Sequence, residues 1–388
     1  MDEAPDVTSN PDVRPRTRYL VLVSSIIARL PQGMAPLAIV LLVQERTQSF
    51  ASAGLAAGAW ALFAAASQPL WARPAGRGNA GRVIALTSAS QAVVVLGIAL
   101  SDWTTAASLV PLAALGGLLA APTSAVARTL WPELTNNQHE LDSLFTLDAT
   151  SQELIFIVGP ALVGVLVVVQ GTELALGVAA MLGASGGLLF ALIVRPLWRP
   201  HPRTHEAVSL GPAVFAIFTV LFLMALGLGF TEVGVPAAAI LDHNRSASGW
   251  LLAAWSLGSL VGGVVSSRIH WRGQPADRLT GLLVGLTVGT SVVIAAWHAG
   301  LGALAAGLFV AGLTLAPTLA AGYGVIGDVT RPERRTDAFA WAVTSILLGV
   351  GSGAAVGGLL AEISPSWAFT AGTVASLLAL GAWLLNRA

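Results

Sequence analysis

The sequence predicts an all-α integral membrane protein with twelve transmembrane helices, arranged as two pseudo-symmetric six-helix bundles. Three observations carry this expectation. Charge is too scarce to clothe a water-soluble surface, apolar runs of helix length recur twelve times, and landmarks of the first half return in the second.

Of the 388 residues, 55% are hydrophobic and 10% charged, against about 25% charged in an ordinary soluble domain. Mean hydropathy is +0.76, so lipid must cover most of the surface. The apolar runs, about 18–25 residues each, fit helices crossing a ~30 Å hydrocarbon core. They do not show the ~10-residue alternation of a membrane barrel. Cysteine is absent, which excludes disulfides and thiolate metal sites. All 20 basic residues are Arg, so the lysine that a Walker A phosphate loop requires is missing. Net charge is zero, and no nucleic-acid surface is indicated.

Read between polar breaks, the first six spans are 19–43, 51–72, 82–101, 105–130, 144–169 and 174–195. The second six are 211–240, 248–268, 278–298, 301–326, 337–361 and 367–386. Residues 1–18 have no signal-peptide pattern and read as a disordered cytoplasmic tail. Residues 19–195 form the N-terminal bundle, 196–210 a cytoplasmic linker, and 211–388 the C-terminal bundle. With the N-terminus inside, seventeen arginines fall on the inner side and only Arg46 and Arg245 on the outer. That bias places both termini in the cytoplasm.

A shift of 195 residues superposes the halves. Gly117-Leu118-Leu119-Ala120-Ala121-Pro122-Thr123 falls on Gly312-Leu313-Thr314-Leu315-Ala316-Pro317-Thr318, Gly54 on Gly249, Trp60 on Trp255, and Arg73 on Arg268. Six spans per half give the copies the same orientation, with a binding site expected at their interface.

Helix 5 carries Gly159-Pro160-Ala161-Leu162-Val163-Gly164. With the six-plus-six layout and the longer central loop, this motif resembles the major facilitator superfamily from about Tyr19 onward. The resemblance implies that family's fold. It suggests a little-characterised branch of bacterial exporters, marked by Arg29-Leu30-Pro31-Gln32-Gly33-Met34 and by Asp148 with Gln152-Glu153. In the family the Gly-Pro motif is typical of antiporters and drug exporters. The alternative reading of Gly159, Pro160 and Gly164 is ordinary tight packing. The family's signature after helix 2 keeps its basic residue at Arg73, but Ala72 stands in the Asp place. The repeat keeps Arg268, with Ser267 in that place. The gating motif is therefore degenerate in both halves.

Ionisable groups inside a span are functional candidates. Arg29 lies ten residues into helix 1 and Glu153 about nine into helix 5, at similar depth. An Arg29–Glu153 ion pair is expected, either as a proton- or substrate-controlled switch or as a permanent packing element. Asp148 and Arg128 are expected to pair nearer the cytoplasm, as a gate or a clamp. Glu232 lies among Gly227, Gly229, Gly234 and Pro236, which predicts a broken or flexible helix 7. It reads as an outer gate or second protonation site, or as a carboxylate reaching the outer interface. Candidate cavity residues are Gln32, Met34 and Tyr323, which the family resemblance places on cavity-lining helices, with Trp60 and Trp255; packing explains the two tryptophans at least as well.

These readings lead to a secondary transporter exporting a small organic or drug-like molecule in exchange for protons, by alternating access. The alternative is uniport or proton-symport uptake of a sugar or other nutrient. No catalytic cluster points to an enzyme. The expected partners are the small-molecule substrate, protons and the lipid bilayer, with no nucleic acid. The expected protein is a monomer of a bacterial cell membrane, with the proton gradient as energy source and no cofactor.

Overall fold

A computed structural model describes residues 15–199, 212–269, 275–330 and 335–387. The expected tail lies outside the described residues as far as residue 14, as does the expected linker from residue 200 onward. Among the described residues the chain is helical throughout, with no strand. The helices are α1 (Pro15–Thr47), α2 (Phe50–Pro74), α3 (Ala80–Leu100), α4 (Ala106–Leu118), α5 (Thr123–Leu130), α6 (Gln138–Gln170) and α7 (Thr172–Val194). The second half has α8 (Pro212–Leu241), α9 (Ala247–Arg268), α10 (Pro275–His298), α11 (Leu301–Gly312), α12 (Leu315–Val329), α13 (Arg335–Ile363) and α14 (Pro365–Arg387).

Eleven helical stretches among the described residues are long and apolar enough to cross a membrane. One, Phe50–Leu100, has 51 residues, about 76 Å of helix at ~1.5 Å per residue and more than twice a hydrocarbon core. It is interrupted at Arg77 (ψ 16°) and Gly78 (φ 96°), a left-handed conformation that glycine adopts without a Cβ penalty. Two crossings result, α2 and α3, and the total is twelve. The chain is a multi-pass membrane protein.

The fourth and tenth spans, expected as single helices, are each broken: α4 from α5, and α11 from α12. The breaks fall on the repeated Gly-Leu…Ala-Pro-Thr motif. Proline has no N–H, so Pro122 and Pro317 leave the carbonyls of Leu118 and Leu313 without their i+4 donors. In the first half the Trp71 indole N–H donates to the Leu118 carbonyl at 2.7 Å. Gln91 Nε2 donates to the neighbouring Gly116 carbonyl at 2.8 Å. Both side chains thus satisfy groups that a continuous helix would have satisfied.

The repeat extends to the backbone. Gln48 (φ 55°) and His243 (φ 57°) are the left-handed non-glycine residues among those described, and they lie 195 positions apart. Each turns the chain at the end of a half's first helix.

The expected break in helix 7 is absent: α8 runs unbroken through Gly227, Gly229, Gly234 and Pro236. Its glycines serve close packing. A methyl on Gly229 would meet the backbone of α13, and one on Gly234 would lie 3.0 Å from the ring of Phe369 on α14.

Helices α2 and α13 pack together, as do α6 and α9, joining the halves. A methyl on Gly54 would lie 2.6 Å from Gly358 Cα, and one on Gly249 2.7 Å from Gly164 Cα, closer than real Cβ atoms come. These seams are copies of one another under the repeat. Both lie toward the face opposite the termini, hereafter the far face. One apolar core there draws on both halves, from Met34–Val43 and Ala175–Ala180 to Val233–Ala239 and Leu304–Leu308. Toward the terminal face the core divides. One part belongs to the first half, around Leu130, Trp131 and Phe190. The other belongs to the second, around Leu221, Leu283 and Ile326. The molecule is closed at the far face and cleft at the terminal face.

Candidate functional site

The cleft is flanked by α5 and α12. Ala121 in the break before α5, and Ala125 and Arg128 on it, keep surface exposure; on α12, their repeat mates Ala316, Ala320 and Tyr323 do the same. Arg128 and Tyr323 are themselves 195 residues apart. Tyr323 is close enough to Arg128 to feel its charge. The Tyr323 ring packs edge-on against Phe339 of α13, with centroids 5.9 Å apart.

Behind Arg128 sits a buried charge cluster. Asp148 on α6, 1% exposed, lies between two guanidinium groups. Arg29 Nη2 is 2.8 Å from its Oδ1, and Arg128 Nε donates to its Oδ2 at 2.8 Å. The expected Arg29–Glu153 pair is therefore replaced by Arg29–Asp148. Helix geometry gives the reason. At ~100° per residue, Ser151, Gln152, Ile155 and Gly159 lie within about 60° of Asp148, on the face that meets α1. Gly159 abuts Gly33 of α1 there. Glu153 lies about 140° around the helix. It shares the face of Pro160 and Gly164, which meet Gly249 of α9. Glu153 is partly buried and has no hydrogen bond or ion pair among the described residues.

Arg29 is fully buried and fully engaged. Its Nε donates to the Ser25 carbonyl (3.2 Å), Nη1 to Gln152 Oε1 (3.4 Å), and Nη2 to Ser151 Oγ (3.1 Å) and Ser25 Oγ (3.4 Å). The two serines donate their own protons to carbonyls one turn back, Ser25 to Leu22 at 2.8 Å and Ser151 to Asp148 at 2.7 Å. Their lone pairs are thereby left facing the guanidinium. The Arg29–Oδ1 contact is out of line for a hydrogen bond, and Oδ1 accepts none. A buried pair of this kind needs such surrounding donors and acceptors to be tolerated. Ser25 and Ser151 were not singled out from sequence. Their signal is one helical turn from Arg29 and from Asp148.

Depth also departs from expectation. Arg29 lies 18 residues before the end of α1, about 27 Å from the far face, and Glu232 nine before the end of α8, about 14 Å. The arginine cluster is thus on the terminal side of the membrane and Glu232 near its middle. Glu232 is partly buried and has no hydrogen bond or ion pair among the described residues.

Other expected cavity residues separate. Gln32 is exposed and accepts from Gln152 Nε2 at 3.4 Å, at the edge of the cluster. Met34 is fully buried in the far-face core, away from the cleft. Trp60 is 7% exposed and packs on Gly116 and Gly117 inside the first half. Trp255, its mate, lines a small internal cavity of the second half with Met224 and Phe369. Packing, not the cleft, accounts for these three. Arg73 and Arg268 are exposed at the ends of α2 and α9.

Two polar contacts lock the far face. Arg245, between α8 and α9, reaches α1: its Nη1 is 2.6 Å from Glu45 Oε2 and its Nη2 donates to Gln44 Oε1 at 3.1 Å. Glu362 on α13 accepts from the Ala51 N–H at 3.0 Å and from Ser49 Oγ at 3.3 Å. Sequence reasoning missed both acids, although Arg245 was conspicuous as one of two outer arginines. Among the described residues no three His, Cys, Asp or Glu side chains converge to hold a metal.

The family model described as Major Facilitator Superfamily matches residues 21–270 and 217–388. No curated protein sequence matches significantly. Among solved structures, the fold is similar to a bacterial homologue of the iron transporter ferroportin in an inward-facing state (TM-score 0.73, 12% identity, 96% of this chain and 99% of that one). It is also similar to the nucleoside transporter NupG (TM-score 0.70, 14% identity, 96% and 99%). A third likeness is to a bacterial homologue of the human lysosomal transporter Spinster, inward-facing and occupied (TM-score 0.73, 15% identity, 96% and 96%). At these identities the likeness is one of fold.

Proposed function

This chain belongs to the Major Facilitator Superfamily, a transporter rather than an enzyme, and on that premise we propose that it exports a small organic molecule in exchange for protons. The observation that carries the reading is the divided core. The halves share one apolar core at the far face and separate cores at the terminal face, with a charged cleft between them. The seventeen-to-two arginine asymmetry supports a cytoplasmic terminal face, so this is the inward-open state of a protein of the bacterial cell membrane. Rocking the halves about the two glycine seams closes the terminal face and opens the far one.

Glu153 and Glu232 are the proton carriers in this reading. Each is a membrane-embedded carboxylate without a fixed partner among the described residues, and Glu153 faces the seam helix α9. A carboxylate exposed to each side of the membrane in turn can take up a proton on one side and release it on the other. The gradient supplies the energy, and neither a cofactor nor a second subunit enters the cycle.

The test is proton flux in proteoliposomes carrying an internal pH dye and an imposed gradient, challenged with a panel of amphiphilic organic compounds. At least one compound is expected to collapse the gradient through the native protein and not through Glu153→Gln. Unchanged proton movement in that variant removes Glu153 from the coupling role. A panel that moves no protons through the native protein overturns proton exchange itself.

A further inference from the structure

We propose that the cleft selects an organic anion, whose acidic group is held by Nη1 and Nη2 of Arg128 in one half and met by the Tyr323 hydroxyl of the other. The inference rests on the transporter reading for its consequence but not for its chemistry.

The charge count comes first. Arg29 and Arg128 carry two positive charges against the single negative charge of Asp148, so the cluster keeps one unit of positive charge. Arg29 cannot offer it to a ligand, being 0% exposed and held by Ser25, Ser151, Gln152 and Asp148. Arg128 can. Its side chain is 50% exposed, and its bond to Asp148 uses Nε alone. Nη1 and Nη2 have no protein partner among the described residues. Anchoring through Nε fixes the guanidinium plane and leaves its outer edge toward the cleft.

The other intramembrane acids do not cancel this charge in place. Glu153 is on a different face of α6, turned toward α9. Glu232 is on α8, nearer the far face by about 13 Å of helix. An uncompensated charge at membrane depth is costly, and a bound anion supplies the compensation. The paired N–H groups of arginine match a carboxylate or similar oxyanion bidentately, and the tyrosine hydroxyl adds a donor. Ala121, Ala125, Ala316 and Ala320 flank these two groups and leave an apolar passage for the remainder of the molecule. A cation meets repulsion at the same point.

The placement also explains how binding becomes movement. Arg128 and Tyr323 stand on opposite halves across the gap that must close. An anion touching both draws α5 and α12 together at the terminal face, so its interaction is stronger in the closed arrangement than in the open one. Differential interaction of this kind is what a ligand needs to shift a conformational equilibrium.

The experiment uses the purified full chain in detergent and matched probes: acetate, hexanoate, benzoate and 2-naphthoate, each beside its amide and its amine. Binding is read as a shift in Tm over a concentration series. At least one carboxylate is expected to raise Tm while its amide and amine do not. Arg128→Gln is expected to weaken that carboxylate by about 10- to 100-fold, with Arg128→Lys between it and the native protein. Tyr323→Phe keeps the ring contact with Phe339 and is expected to weaken binding by about 3- to 10-fold; it serves as the reporter if Arg128→Gln does not fold. The proposal is overturned if no carboxylate acts beyond its amide, if amines stabilise equally, or if the variants bind as the native protein does. Counterflow of the stabilising carboxylate in proteoliposomes separates the two readings. Binding without exchange supports the anion site and overturns transport of such anions by this cleft. Exchange of an amine in preference to its carboxylate overturns the anion site and leaves the transporter reading intact.

Discussion

Replacing Asp148 with Asn removes the one negative charge between two guanidinium groups. Both ion-pair contacts are 2.8 Å, the carboxylate is 1% exposed and Arg29 is 0% exposed. The variant leaves Arg29 charged, buried and facing an amide that brings donors where acceptors are needed. Breaking a buried pair by removing one partner costs about 3–5 kcal/mol, and that loss is expected for Asp148→Asn. Glu153→Gln removes no ion pair among the described residues and is expected to cost less than about 1 kcal/mol. The double variant Arg29→Gln, Asp148→Asn has no unpaired Arg29 charge and is expected to recover about 2–3 kcal/mol of the summed single losses. The assay is equilibrium unfolding in SDS mixed micelles for the native protein and all four variants, Arg29→Gln included. Equal losses for Asp148→Asn and Glu153→Gln, or strict additivity in the double variant, would refute the pairing.

Other consequences concern the seams, the lock and the helix breaks. Gly54→Leu cannot fit against Gly358 and is expected to hold the far face open. With no native cysteine, spin labels at Leu55→Cys and Ile363→Cys report the α2–α13 distance without background, and an unchanged distance contradicts the seam. Arg245→Ala loses the contacts to Glu45 and Gln44. A partly exposed pair contributes up to about 1 kcal/mol, so the far-open population is expected to rise about fivefold in the same label pair. Trp71→Phe leaves the Leu118 carbonyl without its donor and is expected to cost about 1–3 kcal/mol in SDS unfolding. Pro122→Ala restores an N–H one turn on, so the Trp71→Phe loss is expected to shrink in that background; an equal loss in both backgrounds argues against the bond.

The frame of the molecule was readable because lipid imposes it. Length, apolarity and arginine asymmetry are one-dimensional signals, and they gave the spans within a few residues. The repeated Ala-Pro-Thr motif was visible as well, but its meaning was not. Whether Pro122 bends, breaks or merely packs a helix depends on whether a donor such as Trp71 waits across from the freed carbonyl. The glycines around Glu232 were misread for a similar reason: a glycine that loosens one helix and a glycine that admits another look identical in sequence. Rotation about α6 is not legible in a sequence, which points Arg29 at Glu153 although Asp148 carries the right azimuth. The contacts of Glu45 and Glu362 escaped because each joins residues hundreds of positions apart.

The glycine seams bear on the balance of free energy between the two states of the cycle. A leucine interface gains burial on closing and fixes rotamers, so its two terms are large and a small change tips the equilibrium. Gly54 against Gly358, and Gly249 against Gly164, have no rotamers to fix and little apolar area to gain or lose. The glycine contacts themselves therefore add little to the difference between closed and open. Modest contributions, such as one ion pair at the far face or one bound anion at the other, are then large enough to decide which way the molecule stands.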